Sequence, residues 1–229
     1  MRKFLIFLIV ALISFNGLSQ SKNAIGIKLA LSIIPTYFEN DRNLINKSIL
    51  GASPSFCFYY EKQMNKNIFI EIGVRNNQYI LGFSTNPAYE LISPAYSFQA
   101  MSSIQFPVLL KYKYSIKSGF FIAPEIGIVP GLNLSYSSTL QTETELYGMN
   151  YYLHQDFKKY FSLYQIGIDI GKDFYTNSFL INFAYVGGFR KLIQGEVKYR
   201  ENTDDSWQNA IIFSKGQCIM TGISYQYHF

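Results

Sequence analysis

The sequence predicts an all-β fold: an eight-stranded antiparallel up-and-down transmembrane β-barrel. Three observations predict it. Eight stretches alternate apolar and polar side chains with a period of two. The connections between those stretches alternate short and long, a rhythm expected when turns lie on one side of a bilayer and loops on the other. The final stretch, ISYQYHF, carries its alternation through to an aromatic terminal residue, Phe229.

The chain opens MRKFLIFLIVALISFNGLSQ. Arg2 and Lys3 precede an apolar run from Phe4 to Ile13, with Gly17 and Ser19 in the small-residue places before Gln20. This predicts a secretory signal peptide over residues 1–19 and a single barrel domain over 20–229. The run is shorter than the ~20 residues a membrane helix needs. No Cys sits at the expected cleavage point, so a lipid anchor is not expected. Removing Arg2 and Lys3 lowers Lys+Arg from 20 to 18 against 15 Asp+Glu, and the net charge falls from +5 to +3. That excess is too small to read as a nucleic-acid footprint. Aromatics make up 17% of the chain, with Tyr 19 and Phe 20, and they recur strand after strand.

The first four strands are AIGIKLALSI, SPSFCFYYE, IFIEIGVR and SIQFPVLLKYKY. Their larger, apolar faces carry Ile25 to Ile33, Phe56 to Tyr60, Ile68 to Val74 and Ile104 to Tyr114, taking alternate residues. The second four are FFIAPEIGI, YQIGIDIG, FLINFAYV and the terminal strand through Phe229. Short polar connections fall at Lys62–Asn67, Ser115–Gly119 and Lys172–Ser178, rich in turn-forming residues. Long ones fall at Pro35–Leu50, Ser84–Ala100, Asn133–Lys159 and Arg190–Asn209. An even strand number places both termini on the short-turn side.

The identities on the minor face decide which side looks inward. It holds Gly26, Gly73, Gly127, Gly167 and Gly222, which suit a crowded interior. It also holds four bases, Lys28, Arg75, Lys111 and Lys113, and four acids, Glu61, Glu71, Glu125 and Asp169. Four against four predicts a paired network filling a narrow lumen, since an unpaired buried charge is costly. The apolar face then meets lipid, and the sheet must close so that no backbone polar group faces hydrocarbon. Pro107 and Pro124 each remove a ladder bond and are expected at bulges or at the weakest points of the register. Eight strands leave room for little beyond their own side chains, so an open diffusion pore is not expected.

Cys57 and Cys218 both fall on the inward face. With the first strand between them, two strand spacings of ~9–10 Å exceed the reach of a disulfide, and two buried thiols are expected. His154 and Asp156 in YLHQD, with nearby Ser162, are the residues an enzyme reading would use. No complete nucleophile–base–orienter set and no metal-ligand spacing is visible among them, so no catalytic residue, cofactor site or metal site is assigned. His228 is expected at the short-turn rim. Tyr147, Tyr151, Tyr152, Tyr160 and Trp207 make the loops aromatic, either for contact with a protein or glycan or for packing above the bilayer.

The stretches FCFYYEKQMNKNIFIEIGV, IQFPVLLKYKY and FFIAPEIGIVPGLNL, with the Pro-Val-Leu-Leu-Lys-Tyr run, resemble the outer-membrane β-barrel proteins of Bacteroidetes grouped as PorT-like. The resemblance covers the mature chain. It implies a bacterial outer-membrane location and an eight-stranded barrel, and it implies no catalytic residue. A terminal Phe229 with alternate apolar residues before it resembles the signal that barrel assembly machinery reads. The expected role is structural or interactive, through the long outer loops or periplasmic partners, with secretion-associated work implied by some relatives. Two alternatives stand beside it: a barrel enzyme acting on lipid or peptide, and a soluble lipocalin-like barrel that binds a ligand in its interior.

Overall fold

The computed structural model describes residues 23–35, 37–39, 45–48, 51–85, 96–134, 143–146, 149–200 and 208–229. In chain order the strands are β1 (Asn23–Ile34), β2 (Tyr37–Glu39), β3 (Ile45–Ser48), β4 (Gly51–Gln63), β5 (Ile68–Thr85), β6 (Tyr96–Gln105), β7 (Val108–Tyr112) and β8 (Tyr114–Ser115). They continue with β9 (Phe120–Asn133), β10 (Glu143–Leu146), β11 (Met149–Phe157), β12 (Tyr160–Phe174), β13 (Asn177–Gly188), β14 (Ile193–Arg200), β15 (Gln208–Ser214) and β16 (Cys218–His228).

Eight antiparallel staves close a barrel: β1, β4, β5, the run β6–β7–β8, then β9, β12, β13 and β16. The last stave pairs with the first from Ala24↔His228 to Ile33↔Ile219. At the very end of that seam Phe229 N–H donates to Asn23 O at 2.9 Å, and Asn23 N–H donates to Phe229 O at 3.2 Å. No sheet edge is left along the staves, as a lipid-facing backbone requires.

Register follows from the two-face pattern, because a slip of one residue would put every charge into lipid. Ile27 lies opposite Phe58 on one side and Tyr225 on the other. Lys28, its neighbour, lies opposite Cys57 and Ser224. Ile27 and Phe58 are 39% and 58% exposed, while Glu71 and Lys111 are 1% and 2% exposed. The greasy face therefore looks outward, which excludes a lipocalin-like interior.

Of the two expectations for the prolines, the weak point in the ladder is the one found, without a bulge. Arg75 pairs with Gln105 and Ile72 with Val108, so β5 keeps one register across Phe106 and Pro107. The ladder merely thins there, and the carbonyl of Pro107 still accepts from Gly73 N–H at 3.0 Å. Pro124 sits inside an unbroken β9, and its missing donor falls where β7 stops at Tyr112 and β8 begins at Tyr114. A lost N–H is tolerated where the opposing strand is already interrupted.

The long connections also differ from expectation. β5 runs ten residues past Arg75 to Thr85, paired with β6 from Arg75↔Gln105 to Ser84↔Tyr96. β10, β11, β14, β15 and β2 build a second, five-stranded sheet from three of the four connections. Polar stretches such as Asn76–Gln78 hide this extension, because outside the hydrocarbon strands continue on backbone pairing without an apolar face. The short-turn end is as expected: β12 and β13 are joined across Tyr175 and Thr176 alone.

Candidate functional site

The barrel interior is stacked in layers. At the centre, Lys111 Nζ lies 2.6 Å from Glu71, 2.5 Å from Asp169, 3.4 Å from Glu61 and 3.5 Å from Glu125. Lys28 Nζ adds contacts at 3.7 Å to Glu71 and 4.0 Å to Glu125. Two carboxylate oxygens are fed by amides: Gln165 Nε2 donates to Glu125 at 2.6 Å and Asn182 Nδ2 to Asp169 at 2.6 Å. Adjacent staves supply these groups because each inward position of β1, β4, β5, β7, β9 and β12 reaches the same narrow axis. Gly167 makes the space: a Cβ there would stand 2.8 Å from Glu125 Oε1.

The expected four-against-four balance is revised in two places. Among the described ion pairs Arg75 has no carboxylate partner; Nε donates to Gln105 at 2.8 Å and a terminal NH donates to Gln165 at 2.9 Å. Lys113 is paired at the short-turn rim with Asp173 at 2.9 Å, an acid beyond the expected four. The central cluster thus holds four carboxylates around two ammonium groups. Parity along β12 carried the missing signal, since Asp173 follows Asp169 and Gly171 on the inward face.

Glu71, Glu125 and Asp169 bring ligand oxygens within 4.8 Å of one another, a spacing that suits a cation. Lys111 already fills that place. Its ammonium contacts all three.

Above Arg75 the filling turns apolar. Tyr79, Met101, Val129, Leu163, Val186, Cys218 and Met220 form one buried cluster with Ile34, Leu192 and Ile193. Tyr79 hydroxyl accepts from Gln105 Nε2 at 2.6 Å and joins the two layers. Two voids beside the charged layer are each about 10 Å³, about one water's worth of space. A larger furrow of about 490 Å³ lies outside, among Ile27, Phe179, Ile223 and Tyr225, and belongs to the lipid-facing surface.

At the short-turn rim a serine, a histidine and an aspartate do meet. Ser178 Oγ donates to Asp173 Oδ1 at 2.6 Å and lies 2.6 Å from His228 Nε2. The wiring is that of a clasp. A hydroxyl has one proton, and here the carboxylate takes it, so His228 donates rather than abstracts. Ser178 is also 0% exposed, beyond the reach of a substrate. The clasp ties the β12–β13 turn to the C-terminal strand.

Cys57 and Cys218 are free and buried, as expected. Their separation is larger than strand count alone implied: Cys57 lies level with Lys28, while Ile33 is level with Ile219, one residue past Cys218. Ser162 is exposed on the outward side of β12. His154 and Asp156 lie in β11, opposite Glu196 and Gln194; their side chains lie outside the described residues, as do those of Tyr151 and Tyr152. Tyr147 and Trp207 are outside the described residues altogether. Tyr160 is 63% exposed at the start of β12.

Residues 18–194 match the family model described as outer membrane protein beta-barrel domain. No curated protein matches the chain by sequence. Among solved structures, the chain is similar to the outer membrane protein OprG from Pseudomonas aeruginosa, with a TM-score of 0.58 at 9% identity over 93% of this chain and 98% of that one. A major outer membrane protein from Thermus thermophilus aligns with a TM-score of 0.47 at 8% identity, over 92% and 100%. The outer membrane protease OmpT from Escherichia coli aligns with a TM-score of 0.40 at 10% identity, over 93% and 99%. At 9% identity the likeness to OprG is one of fold.

Proposed function

Because this chain belongs to the outer membrane protein beta-barrel domain family, and is an integral barrel of the bacterial outer membrane with a side-chain-filled lumen, we propose that it works as a structural or interaction protein and not as a diffusion channel. The observation that carries this reading is the two-layer filling: a charged cluster around Lys111 below and an apolar cluster around Tyr79 above. A solute would have to displace both.

The working surface in this reading is the extracellular end, where the five-stranded sheet of β2, β10, β11, β14 and β15 extends from the barrel. A protein or glycan partner there, or a periplasmic partner at the short turns, fits the aromatic loops that the sequence carries. The Pro-Val-Leu-Leu-Lys-Tyr run around Pro107 supports placement in the PorT-like group. The non-enzymatic reading draws support from the buried, donor-wired Ser178. Residues 1–19 are read as the signal peptide, residues 20–229 as the mature barrel, and Phe229 as the mark taken up by the assembly machinery. Mass measurement of the membrane-extracted protein tests the cleavage before Gln20.

Planar-bilayer recording of the purified protein tests the central point. No steady conductance above the bare bilayer is expected; stable open-channel steps would overturn the proposal.

A further inference from the structure

The outward face of the barrel is interrupted by a furrow of about 490 Å³ that crosses β9, β12, β13, β16 and β1. Its course follows the stagger of the staves. Phe120, Lys172, Phe179, Tyr225 and Ile27 stand on successive staves, each opposite the next. Phe120 is the first residue of β9, whereas Ile27 lies well inside β1, which begins at Asn23. The row therefore climbs from the short-turn rim toward the middle of the barrel wall, as tilted staves require. One end of the furrow lies at Phe120 and Phe174, the last residue of β12. The other lies at Leu29 and Ile223, midway along the first and last staves. It thus covers the depth of one leaflet, half of a hydrocarbon core ~30 Å thick.

The lining changes along this course. Near the rim it is aromatic: Phe174, Phe179 and Tyr225 stand in a row, with successive ring centroids 6.0 and 5.3 Å apart. Aromatic residues at this level mark the membrane–water interface. Toward the middle the lining is aliphatic, with Ile170, Ile181, Ile223 and Leu29. Among the described residues of the lining Lys172 alone is charged, and it stands at the rim end. Its Nζ lies 4.8 Å from the Phe120 ring centroid and 5.0 Å from that of Phe174. None of the described ion pairs includes it.

A cation held at the interface by two rings, above an apolar track to the bilayer middle, is the complement of a phospholipid. The phosphate meets the ammonium, and an acyl chain follows the track. A second copy of this chain matches less well. It would bring a convex apolar face, and Glu61, Glu71, Glu125 and Asp169 are buried in the bore, so it has none of these acids to offer Lys172. We propose that the furrow holds one phospholipid of the periplasmic leaflet, with its phosphate on Lys172 and one acyl chain laid along Phe179, Ile181 and Ile223. The site is separate from the lumen and does not depend on whether the bore conducts.

The test uses the full-length protein purified in mild detergent, with phosphatidylethanolamine as the probe and native mass spectrometry as the readout. One bound phospholipid per chain is expected, whereas diacylglycerol, which lacks the phosphate, is expected not to stay bound. Lys172→Gln is expected to weaken retention about fivefold. Ile223→Trp fills the inner end of the furrow and is expected to expel the lipid. Ile126→Trp, on the outward face of β9 and outside the furrow, is expected to leave it bound. Equal retention of diacylglycerol, or equal retention by the two tryptophan variants, would overturn the proposal. A lipid-free dimer that Ile223→Trp dissociates would give the furrow to a second copy and overturn it as well. Should Ile223→Trp fail to fold, the comparison of phospholipid with diacylglycerol on the unaltered chain decides the matter.

Discussion

Lys111 Nζ stands 2.6 Å from Glu71 Oε2, and the two side chains are 2% and 1% exposed. One ammonium thereby serves four carboxylates, and among the described residues Lys28 alone shares the load. The cluster is acid-rich, so its two charges are not equivalent under mutation. Lys111→Met strips the common counter-charge and is expected to destabilise the barrel by about 3–5 kcal/mol. Glu71→Gln removes one of four negative charges and keeps a polar side chain, so about 1 kcal/mol is expected. Urea unfolding from lipid vesicles measures both; equal costs would contradict the acid-rich reading.

Gly127 permits close approach of two staves. A Cβ at this position would stand 2.0 Å from Val108 O and 2.8 Å from Leu109 Cα, both backbone atoms that cannot swing away. Gly127→Ala is expected to cost about 1–3 kcal/mol, as overpacking does, although alanine is small and apolar. The same vesicle unfolding measurement checks it, with the outward Ile126→Leu as a near-neutral comparison.

The outward face has a depth profile. Ile166 is 53% exposed near the middle of β12, and Ile25 is 52% exposed two residues from the start of β1. Their similar exposure hides different surroundings. Ile166→Lys is expected to cost about 2–4 kcal/mol and Ile25→Lys about 0–1 kcal/mol. Folding equilibria into vesicles of one lipid composition would show the difference; equal costs would mean that the bilayer is not where the belt places it.

The rim clasp predicts stability without chemistry. Ser178→Ala removes the bonds to Asp173 and His228 and leaves both partners on the β12–β13 and C-terminal segments. A loss of about 1–3 kcal/mol is expected. Hydrogen exchange at the β12–β13 turn is expected to quicken, while exchange in the central cluster stays as it was.

Most of the fold was legible because lipid and lumen impose opposite demands on alternate residues. Ile27 beside Lys28, and Ile70 beside Glu71, state the orientation directly. Three things were hidden. Beyond Arg75 inward positions take Tyr79, Met101, Val129 and Leu163 while outward ones include Asn76, Gln78, Ser102 and Ser162, so the contrast between faces fades. The strands of the extracellular sheet form outside the hydrocarbon, where backbone pairing needs no apolar stripe. The partners of each charge depend on the stagger between staves, which spacing along one strand does not encode; Arg75 met amides and Lys113 met Asp173 for that reason.

The central claim is that the apolar face of each stave meets hydrocarbon and the charged face fills the bore. Spin labels placed one at a time along β9, with Cys57 and Cys218 replaced by Ser, test it in vesicles. The account predicts high collision with oxygen dissolved in the bilayer at 122, 126 and 128, and protection from both oxygen and water-soluble reagents at 123, 125 and 129. Uniform accessibility along the strand, or oxygen collision at 123, 125 and 129 with protection at 122, 126 and 128, would contradict it.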